Sequence, residues 1–403
     1  MLEILIIANL LGFLVSLKSR MGAANPFFIY FAIWSAVFLG YYFSSHTFNP
    51  VPASFFFLLF NACVFALFIL FIAHGGRYKA AIEFHNRKFK LRKNLVTLLQ
   101  AACVVSLPFA YLKASALAAG NDIFSVLGYI YLRTSMTEDG LGLGPVNYFS
   151  ILSYVICSIR VCQFFLDERR LYLTLAAVFV ACFYAYINTG RTGVLLLTVL
   201  NVIPLVLRGA IRRRGILISA AILAAMFFLI ALMTAKGVSA EASFGENIES
   251  LAFNLRAYTI APTLAFSWLE NTLSNFSYGL NSFRFVLSLI NSLGFDGFEP
   301  PALIREYAFV PDATNVYTVY DVYFRDFAYI GIFLPPAFLI IHWVLYKRSA
   351  KHGGRWIFYY AASAYPLLMQ FFSDQYFSLF SIWLQIAFWY WIFVKKDNSI
   401  LEN

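Results

Sequence analysis

Charged side chains are scarce in this sequence. They make up 12% of its 403 residues, against roughly a quarter in a soluble protein, while hydrophobic residues make up 61%. The hydrophobic residues form runs of about twenty, the length of helix that crosses a bilayer. The scarcity of charge excludes a soluble globular protein, and the runs predict an all-α polytopic integral membrane protein.

Signals typical of other protein classes are also missing. The apolar run over residues 1–17 has neither the basic start nor the cleavage site of a secretion signal, so we interpret it as a first span. All five cysteines fall inside predicted spans. They therefore have neither the spacing of a metal site nor a loop position where a disulfide could form.

The apolar runs predict eleven spans. These cover residues 2–17, 26–44, 53–73, 95–112, 147–166, 171–187, 192–207, 216–234, 327–346, 356–372 and 376–394. The predicted organisation is eight transmembrane helices over 1–234 with a smaller loop at 114–146, a large loop with amphipathic helices over 235–326, and three further helices over 327–403.

Basic residues are distributed unevenly between the two sides of this arrangement. One side carries 21 of the 30 lysines and arginines with five acidic residues, and the other carries eight with fifteen acidic residues. The positive side is expected to face the cytoplasm, which places the large loop outside. Arg160 lies inside a span and is expected to reach towards Asp167 at the cytoplasmic side. The net charge of +10 thus reflects the excess of basic residues in the loops expected to face the cytoplasm. Nucleic acid is not an expected partner.

Arginine replaces lysine on the exterior side. Apart from two lysines at span edges, the exterior basic residues are Arg133, Arg191, Arg256, Arg284, Arg305 and Arg325. A guanidinium group binds phosphate oxygens bidentately and stays charged when partly dehydrated. These residues are therefore candidates for binding a diphosphate headgroup. The alternative is that they pair with exterior carboxylates or anchor helices at the interface.

A short glycine-containing segment links two of the spans. Asn188-Thr189-Gly190-Arg191-Thr192-Gly193 is predicted to form a tight exterior turn, in which the glycines let backbone amides approach an anion closely. Arg191 would lie at the mouth of this turn. The alternative is a plain turn with an interfacial arginine.

The large loop is expected to contain helices that cap the exterior face. Ser243 and Glu246 form a capping box that predicts a helix reaching Arg256. A second helix is predicted over 278–293, and a shorter one is predicted to begin at Pro300-Pro301. Apolar and aromatic residues on every side of these segments indicate helices on the membrane surface or folded back over the spans.

The end of the large loop carries the most polar residues. A helix over 314–326 would place Thr314, Thr318, Asp321 and Arg325 on one face, with Asn315 and Asp326 beside them. Asp321 and Arg325 are either a helical ion pair or polar groups lining a cavity where the chain enters the bilayer. Tyr317, Tyr320 and Tyr323 either offer flat faces on which carbohydrates stack or form an interfacial aromatic belt.

The exterior loops contain one histidine, His46, so the usual ligand spacing of a metal cluster is absent there. A general base on this side is then expected to be a carboxylate. The candidates are Asp326, Asp321, Asp312, Glu299 and Asp374.

These features together resemble the Wzy-type polymerases of bacterial O-antigen repeat units. The resemblance rests on the span layout, on Thr189-Gly190-Arg191-Thr192-Gly193, and on Thr314-Asn315-Val316-Tyr317-Thr318 followed by Tyr323-Phe324-Arg325-Asp326-Phe327. The usual glycine after Asp-Phe is replaced here by Ala328, and Gly331 follows. Arg133, eleven residues before Gly144, has a spacing proposed for sugar-binding loops of this family.

The resemblance implies a GT-C-like membrane glycosyltransferase of the bacterial inner membrane, with its active site facing the periplasm. The enzyme would transfer a growing glycan from undecaprenyl diphosphate to another lipid-linked repeat unit, without metal or cofactor, and would invert the anomeric carbon. Its other partner would be membrane lipid. Whether a chain-length regulator also binds is left open.

The resemblance also implies roles for single residues. The implied catalytic residues are Asp326, Asp321, Arg191 and Arg325. The implied substrate-binding residues are Arg256, Arg284, Arg305, Arg133, Asn315, Tyr317, Thr318 and Tyr323.

Three other functions compete with this interpretation. An O-antigen ligase shares the layout but is expected to place a histidine in its large loop, which has none here. A lipid-linked-oligosaccharide transporter would need a charged path through the spans, and no inverted pair of broken spans is evident. A non-catalytic scaffold would not need six exterior arginines.

Overall fold

The computed structural model describes residues 2–18, 22–48, 54–73, 90–137, 141–211, 215, 253, 255–295, 297, 301–302, 305–310 and 313–395. Most of these residues are helical. The helices are α1 (Leu2–Lys18), α2 (Pro26–Ser44), α3 (Phe55–Ala73), α4 (Lys93–Val105), α5 (Leu107–Leu117), α6 (Val126–Thr137), α7 (Asn147–Leu166), α8 (Leu171–Ile187), α9 (Arg191–Leu207), α10 (Ala261–Thr272), α11 (Arg284–Ser292), α12 (Tyr320–Phe327), α13 (Leu334–His352), α14 (Arg355–Leu368) and α15 (Phe380–Phe393). Strands β1 (Ala308–Phe309) and β2 (Ala313–Thr314) pair antiparallel.

Five helical stretches within the described part of the chain are long and apolar enough to cross a membrane. They are Pro26–Thr47, Phe55–Ile72, Lys93–Leu117, Gly144–Leu166 and Tyr320–His352. Three shorter apolar helices, Leu171–Ile187, Thr192–Leu207 and Phe380–Phe393, accompany them. The mostly helical membrane-protein character expected from the sequence is confirmed at this level. The total of eleven spans stays a prediction, and the predicted span over 216–234 lies outside the described residues.

The chain divides into two compact units. The first comprises Met1–Ala80, Ala252–Tyr346 and Pro366–Ser381, and the second comprises Ala81–Leu251, Lys347–Tyr365 and Ile382–Asn403. The predicted domain division is not tested by these units and stays a prediction. Its boundary at 326/327 falls within the last turn of α12.

The core of the first unit is built from aromatic side chains. Tyr320, at the start of α12, is fully buried and stacks on Trp34 of α2, with ring centroids 5.6 Å apart. The ring of Phe60 of α3 lies 4.5 Å from the same tyrosine. Aromatic pairs of this kind stabilise a core beyond their buried area. They hold the start of α12 against α2 and α3.

Helix α10 belongs to this core rather than to a surface cap. Phe266 is fully buried and packs against Phe56 and Phe57 of α3 at 5.2 Å. Glu270 of the same helix accepts hydrogen bonds from Ser54 Oγ and the Phe56 backbone amide, which caps the start of α3. Helix α10 therefore folds back over α3, which is one of the two positions expected for this segment.

The second unit buries a cation inside α7. Arg160 is 1% exposed. Its guanidinium group donates to Gln100 Oε1, Gln163 Oε1 and Thr97 Oγ1 at 2.8, 3.0 and 2.7 Å. The expected reach towards Asp167 is therefore wrong. Neutral side-chain oxygens of α4 and α7 accept the hydrogen bonds of the buried guanidinium group. Such partners are required because a buried polar group without hydrogen bonds is costly.

The predicted span over 95–112 is two helices. Helix α4 ends at Val105 and α5 begins at Leu107, with Pro108 in its first turn. Proline has no backbone N–H to donate and fits the first turn of a helix. Ser106 at the break shares a 2.7 Å hydrogen bond with Tyr184 Oη of α8.

The predicted turn between two spans is present over residues 188–190. Helix α8 ends at Ile187, and α9 begins at Arg191 after the N-cap Gly190. The positive φ of this turn, +52°, belongs to Thr189 and not to a glycine. A Cβ at Gly193 would lie 3.2 Å from Tyr154 Oη, so a side chain there would require the tyrosine to move by a few tenths of an ångström.

The predicted helix over 314–326 is wrong at its start. Thr314 pairs with Ala308 in the β1–β2 hairpin, and residues 315–318 are not helical. Helix α12 begins only at Tyr320, after the Val319 amide donates to Gln370 O at 2.9 Å. Only Asp321 and Arg325 of the expected polar face therefore share a helix.

Two glycine-type positions follow α12. Ala328 has φ +49° and ψ −139°, a conformation that suits glycine far better than a residue with a Cβ. At Gly331 a Cβ would lie 2.5 Å from Tyr323 O, so only glycine fits this approach of two backbones. Residues 328–333 form a 3₁₀ helix that leads into α13.

The other helices predicted in the large loop are only partly borne out. The helix expected over 278–293 begins at Arg284. Pro301 and Ala302 are not helical, so a helix does not begin at the proline pair. The capping box at Ser243 and Glu246 lies outside the described residues, and residues 255–259 near its expected end are helical.

Candidate functional site

Helix α12 carries Asp321 in its first turn and Arg325 in its last turn. A second arginine, Arg305, binds the same aspartate. Arg325 Nε lies 2.5 Å from Asp321 Oδ1, and Arg305 Nε lies 2.9 Å from Asp321 Oδ2. The side chains of Asp321, Arg325 and Arg305 are 6%, 11% and 17% exposed. One carboxylate thus holds two arginines at the end of an apolar helix. The predicted i, i+4 ion pair is confirmed.

Glu306 is the second acid of this group. Its Oε1 lies 2.5 Å from Arg325 Nη2. The Tyr317 ring lies under the guanidinium of Arg325 at 5.3 Å, and Tyr317 Oη donates to Glu306 O at 3.1 Å. Burial and the nearby charge of Glu306 raise the pKa of Tyr317 to about 12, so this hydroxyl keeps its proton. We call Arg305, Glu306, Asp321 and Arg325 the ionic cluster.

Asp326 is enclosed by donors from the segment before α11. Its Oδ1 accepts from Asn281 N and Nδ2 at 3.1 and 2.9 Å, and its Oδ2 accepts from Ser282 N and Oγ, both at 2.7 Å. Asn281 Oδ1 in turn accepts from Arg305 Nη1 at 2.8 Å. The carboxylate is 1% exposed. Asp326 therefore holds a loop segment to α12, and this geometry argues against the predicted role as general base.

Arg284 opens α11 next to the ionic cluster. Burial, together with the like charge of Arg305, lowers the pKa of Arg284. Its Nη1 atom is buried without a hydrogen-bond partner, and its guanidinium makes no ion pair or hydrogen bond with any residue that the structure describes. A desolvated guanidinium without a counter-ion attracts an anion.

Asp374, another of the predicted carboxylate candidates, is engaged by donors of its own. Asp374 is buried and accepts hydrogen bonds from Tyr323 Oη, from the backbone amides of residues 376–378 and from Ser378 Oγ. Burial raises the pKa of Asp374 even so. Glu299 and Asp312 lie outside the described residues. Asp321 and Glu306 are left as the acids that contact the arginines.

Three of the predicted substrate-binding residues, Tyr317, Thr318 and Tyr323, are buried. Thr318 and Tyr323 are fully buried. The Tyr323 ring packs against Phe338 and Phe377, and Tyr320 and Tyr317 are buried as well. None of these rings offers a free face to a sugar, because each completes the packing around α12.

The other predicted site residues lie elsewhere. Asn315 is half-buried in the non-helical segment before α12, and Arg256 lies in the helical residues 255–259. Arg133, in α6, and Arg191, at the start of α9, belong to the second unit. The structure therefore brings together Arg284, Arg305, Asp321, Arg325 and Asp326 of the predicted set.

The sequence interpretation missed Asn281, Ser282 and Glu306. Asn281 and Ser282 are separated from their partner Asp326 by more than forty residues of chain, so no local spacing points to them. Glu306 follows Arg305 directly, and this adjacency was the one available signal. The tertiary fold brings Glu306 to its actual partner, Arg325.

The ion pair of Glu306 should make stability depend on pH. Burial alone would raise the pKa of Glu306, but the hydrogen bond from Arg325, with the charges of both arginines, lowers it below the usual 4.5. The stabilisation is then present above about pH 4.5 and is lost as the pH falls through the folded-state value. Unfolding midpoints of the wild type and Glu306→Gln should differ at pH 6 and converge near pH 3. A difference that persists at pH 3 would contradict this assignment.

No protein-family model, curated protein or solved structure matches this chain. Among the described residues, no group of three or more histidine, cysteine or acidic side chains could hold a metal ion. The site presents three guanidinium groups, two carboxylates in contact with two of them, and a neighbouring carboxylate that accepts four hydrogen bonds.

Proposed function

We propose that this protein is a polymerase of lipid-linked oligosaccharide repeat units, a membrane glycosyltransferase of the GT-C-like type. The observation that carries the proposal is the ionic cluster, in which Arg305 and Arg325 bind the carboxylates of Asp321 and Glu306. Arg284, close enough to Arg305 for their charges to interact, adds a third guanidinium group beside the cluster. Asp321 and Arg325 lie in the first turns of the apolar stretch Tyr320–His352. A lipid diphosphate likewise joins a charged group to an apolar tail.

The reaction is a single displacement at the anomeric carbon of the donor glycan. The acceptor hydroxyl oxygen forms the new glycosidic bond while the bond from the anomeric carbon to the diphosphate oxygen breaks. The electron pair of the broken bond goes to the lipid diphosphate, and the anomeric configuration inverts. Guanidinium groups aimed at the leaving oxygen stabilise the charge that develops there.

Asp321 supplies the base in this proposal. In the absence of substrate both of its oxygens are held by arginines. A diphosphate that binds Arg305 and Arg325 competes for the same donors, which frees an oxygen of Asp321. The carboxylate then takes the proton of the acceptor hydroxyl. Asp326 acts as a positioning residue, because it ties residues 281–282 to α12.

The membrane topology of the proposal follows the distribution of lysine and arginine in the sequence. Eleven spans place the ionic cluster on the exterior side of a bacterial inner membrane, facing the periplasm. Arg133 and Arg191 fall on the same side in that topology and are assigned to substrate binding and catalysis. Donor and acceptor are both undecaprenyl-diphosphate-linked oligosaccharides, and a chain-length regulator is an additional protein partner to test for.

A clean deletion of the gene separates this function from its rivals. Loss of a polymerase leaves single repeat units attached to lipid A–core, and complementation with the wild-type chain restores the ladder of long chains. Loss of a ligase leaves no units attached, and loss of a transporter traps the lipid-linked units inside the cell. The surface glycan, separated by size on a gel, shows which outcome holds, and either of the last two would overturn the proposal.

A further inference from the structure

A short backbone ladder in the second unit joins the start of α4 to the end of α15. Leu91 forms an antiparallel bridge with Val394. The Lys395 amide donates to Lys90 O at 2.8 Å, and the Arg92 amide donates to the carbonyl of residue 393 at 3.0 Å. We call residues 90–92 and 393–395 the basic junction.

The basic junction brings together cations that repel one another. Lys90 lies opposite Lys395 in the ladder, and both residues are exposed, as is Arg92. Like charges directly opposite each other destabilise an antiparallel pair. An anion bound between these three cations would offset that repulsion.

Further cations extend the positive surface to the start of α8. Lys93 and Arg170 both pair with Glu168, and Arg169 beside them is exposed. Residues 90–93, 167–170 and 395 thus carry six basic and two acidic side chains. The segments that adjoin them in sequence, 74–89 and 396–403, carry five basic and three acidic residues. The charge of this surface together with its sequence neighbours is therefore positive.

An exposed apolar stripe runs along α15 from the basic junction. Counting back from Lys395, the residues Trp391, Phe388 and Leu384 follow at steps of four, three and four, which place them on one face of a helix. Their side chains are 60%, 50% and 50% exposed. The stripe covers about 10 Å along the helix axis, against about 15 Å for one leaflet of the hydrocarbon core. It therefore offers a contact for most of the length of an acyl chain.

Two exposed aromatic residues lie at the same end of the helices as the cations. Trp391 lies in the last turn of α15, and Tyr172, which is 87% exposed, lies in the first turn of α8 beside Arg170. Tryptophan and tyrosine are enriched at the membrane–water interface, where the lipid headgroups lie. This places the cations at headgroup level and the apolar stripe among the acyl chains.

We propose that the basic junction binds an anionic phospholipid of the phosphatidylglycerol class. Its phosphate lies between Lys90, Arg92 and Lys395, and an acyl chain lies along the apolar stripe of α15. Clusters of basic residues at a membrane surface attract anionic headgroups. A free phosphate gains nothing from the stripe, and a zwitterionic lipid brings its own cation to the junction. Binding of this lipid is independent of the polymerase reaction.

Native mass spectrometry of the purified full-length protein in detergent tests this proposal, with phosphatidylglycerol, phosphatidylcholine or glycerol 1-phosphate added. The wild type should bind phosphatidylglycerol at least tenfold more tightly than either other probe. Arg92→Gln combined with Lys395→Gln should weaken phosphatidylglycerol at least tenfold. The matched control, Arg348→Gln combined with Lys351→Gln, removes two exposed charges near the end of α13 and should change the affinity less than twofold. Phe388→Ala should weaken phosphatidylglycerol about threefold and leave glycerol 1-phosphate unchanged.

Equal losses of phosphatidylglycerol in the two double variants would show attraction to the overall charge of the protein and would overturn the junction as a lipid site. Glycerol 1-phosphate bound as tightly as phosphatidylglycerol would overturn it too, since the junction would then be a site for a free anion. The unfolding midpoint of the Arg92 and Lys395 double variant without added lipid should equal that of the wild type, because both side chains are exposed. If that midpoint falls, Lys395→Gln alone is titrated, and an affinity within twofold of the wild type overturns the proposal.

Discussion

Replacing Arg284 with alanine should lower glycan transfer by about 10²–10³-fold, the effect of removing one charge-stabilising donor from an active site. The expected change in stability is small, less than about 1 kcal/mol, because this guanidinium makes no ion pair or hydrogen bond with a described residue. Arg305 is a less clean choice, since its removal also breaks the contacts to Asp321 and Asn281. Arg284 thus separates function from folding.

The measurement is the length distribution and amount of polymer in a deletion strain that carries each variant, with membrane levels of the protein checked by immunoblot. Arg170→Ala is the matched control, because Arg170 is an exposed arginine whose Nε lies 2.9 Å from Glu168. It should leave the polymer unchanged. Arg284→Lys should give an intermediate level, since an ammonium keeps the charge but loses the bidentate geometry. Normal polymer in Arg284→Ala would remove this residue from the mechanism.

Asp326→Asn should destabilise the folded protein by about 3–5 kcal/mol, the usual consequence of breaking a buried charged network. The native carboxylate accepts four hydrogen bonds from two neighbouring residues. An asparagine amide turns one accepting oxygen into a donor, so an N–H group then faces two native donors inside the protein. Burying polar groups without partners costs further free energy.

Unfolding of the purified protein in detergent, followed with denaturant, measures this loss. Glu306→Gln provides the control, because the side chain of Glu306 is 52% exposed and an exposed ion pair contributes at most about 1 kcal/mol. Asp321→Asn should instead keep the fold and lose transfer. If Asp326→Asn proves as stable as the wild type but inactive, Asp326 and not Asp321 is the base.

The helices could be predicted because the apolar runs have spanning length. The starts of α2, α7 and α8 agree with the sequence within a residue. The pair of Asp321 and Arg325 could be predicted as well, since residues four apart on a helix face each other. Each of these features depends on local spacing alone.

The remaining features of the site depend on contacts between distant segments. The four bonds to Asp326 come from residues about forty-five positions earlier, and the hairpin that displaces the start of α12 is set by pairing outside that helix. Tyrosines that pack in a core and tyrosines that stack on sugars look alike in a sequence. The sequence alone therefore could not show that the Tyr323 ring packs in the core.

The backbone at Ala328 keeps the shape of a glycine turn although the residue has a Cβ. A non-glycine residue in such a conformation costs on the order of 1–3 kcal/mol, which the surrounding structure must offset. A sequence pattern that requires glycine at this position would therefore not match this chain. Its backbone nevertheless adopts the conformation that glycine would adopt here. The backbone conformation of residue 328 thus sets the direction in which the chain leaves α12 towards α13.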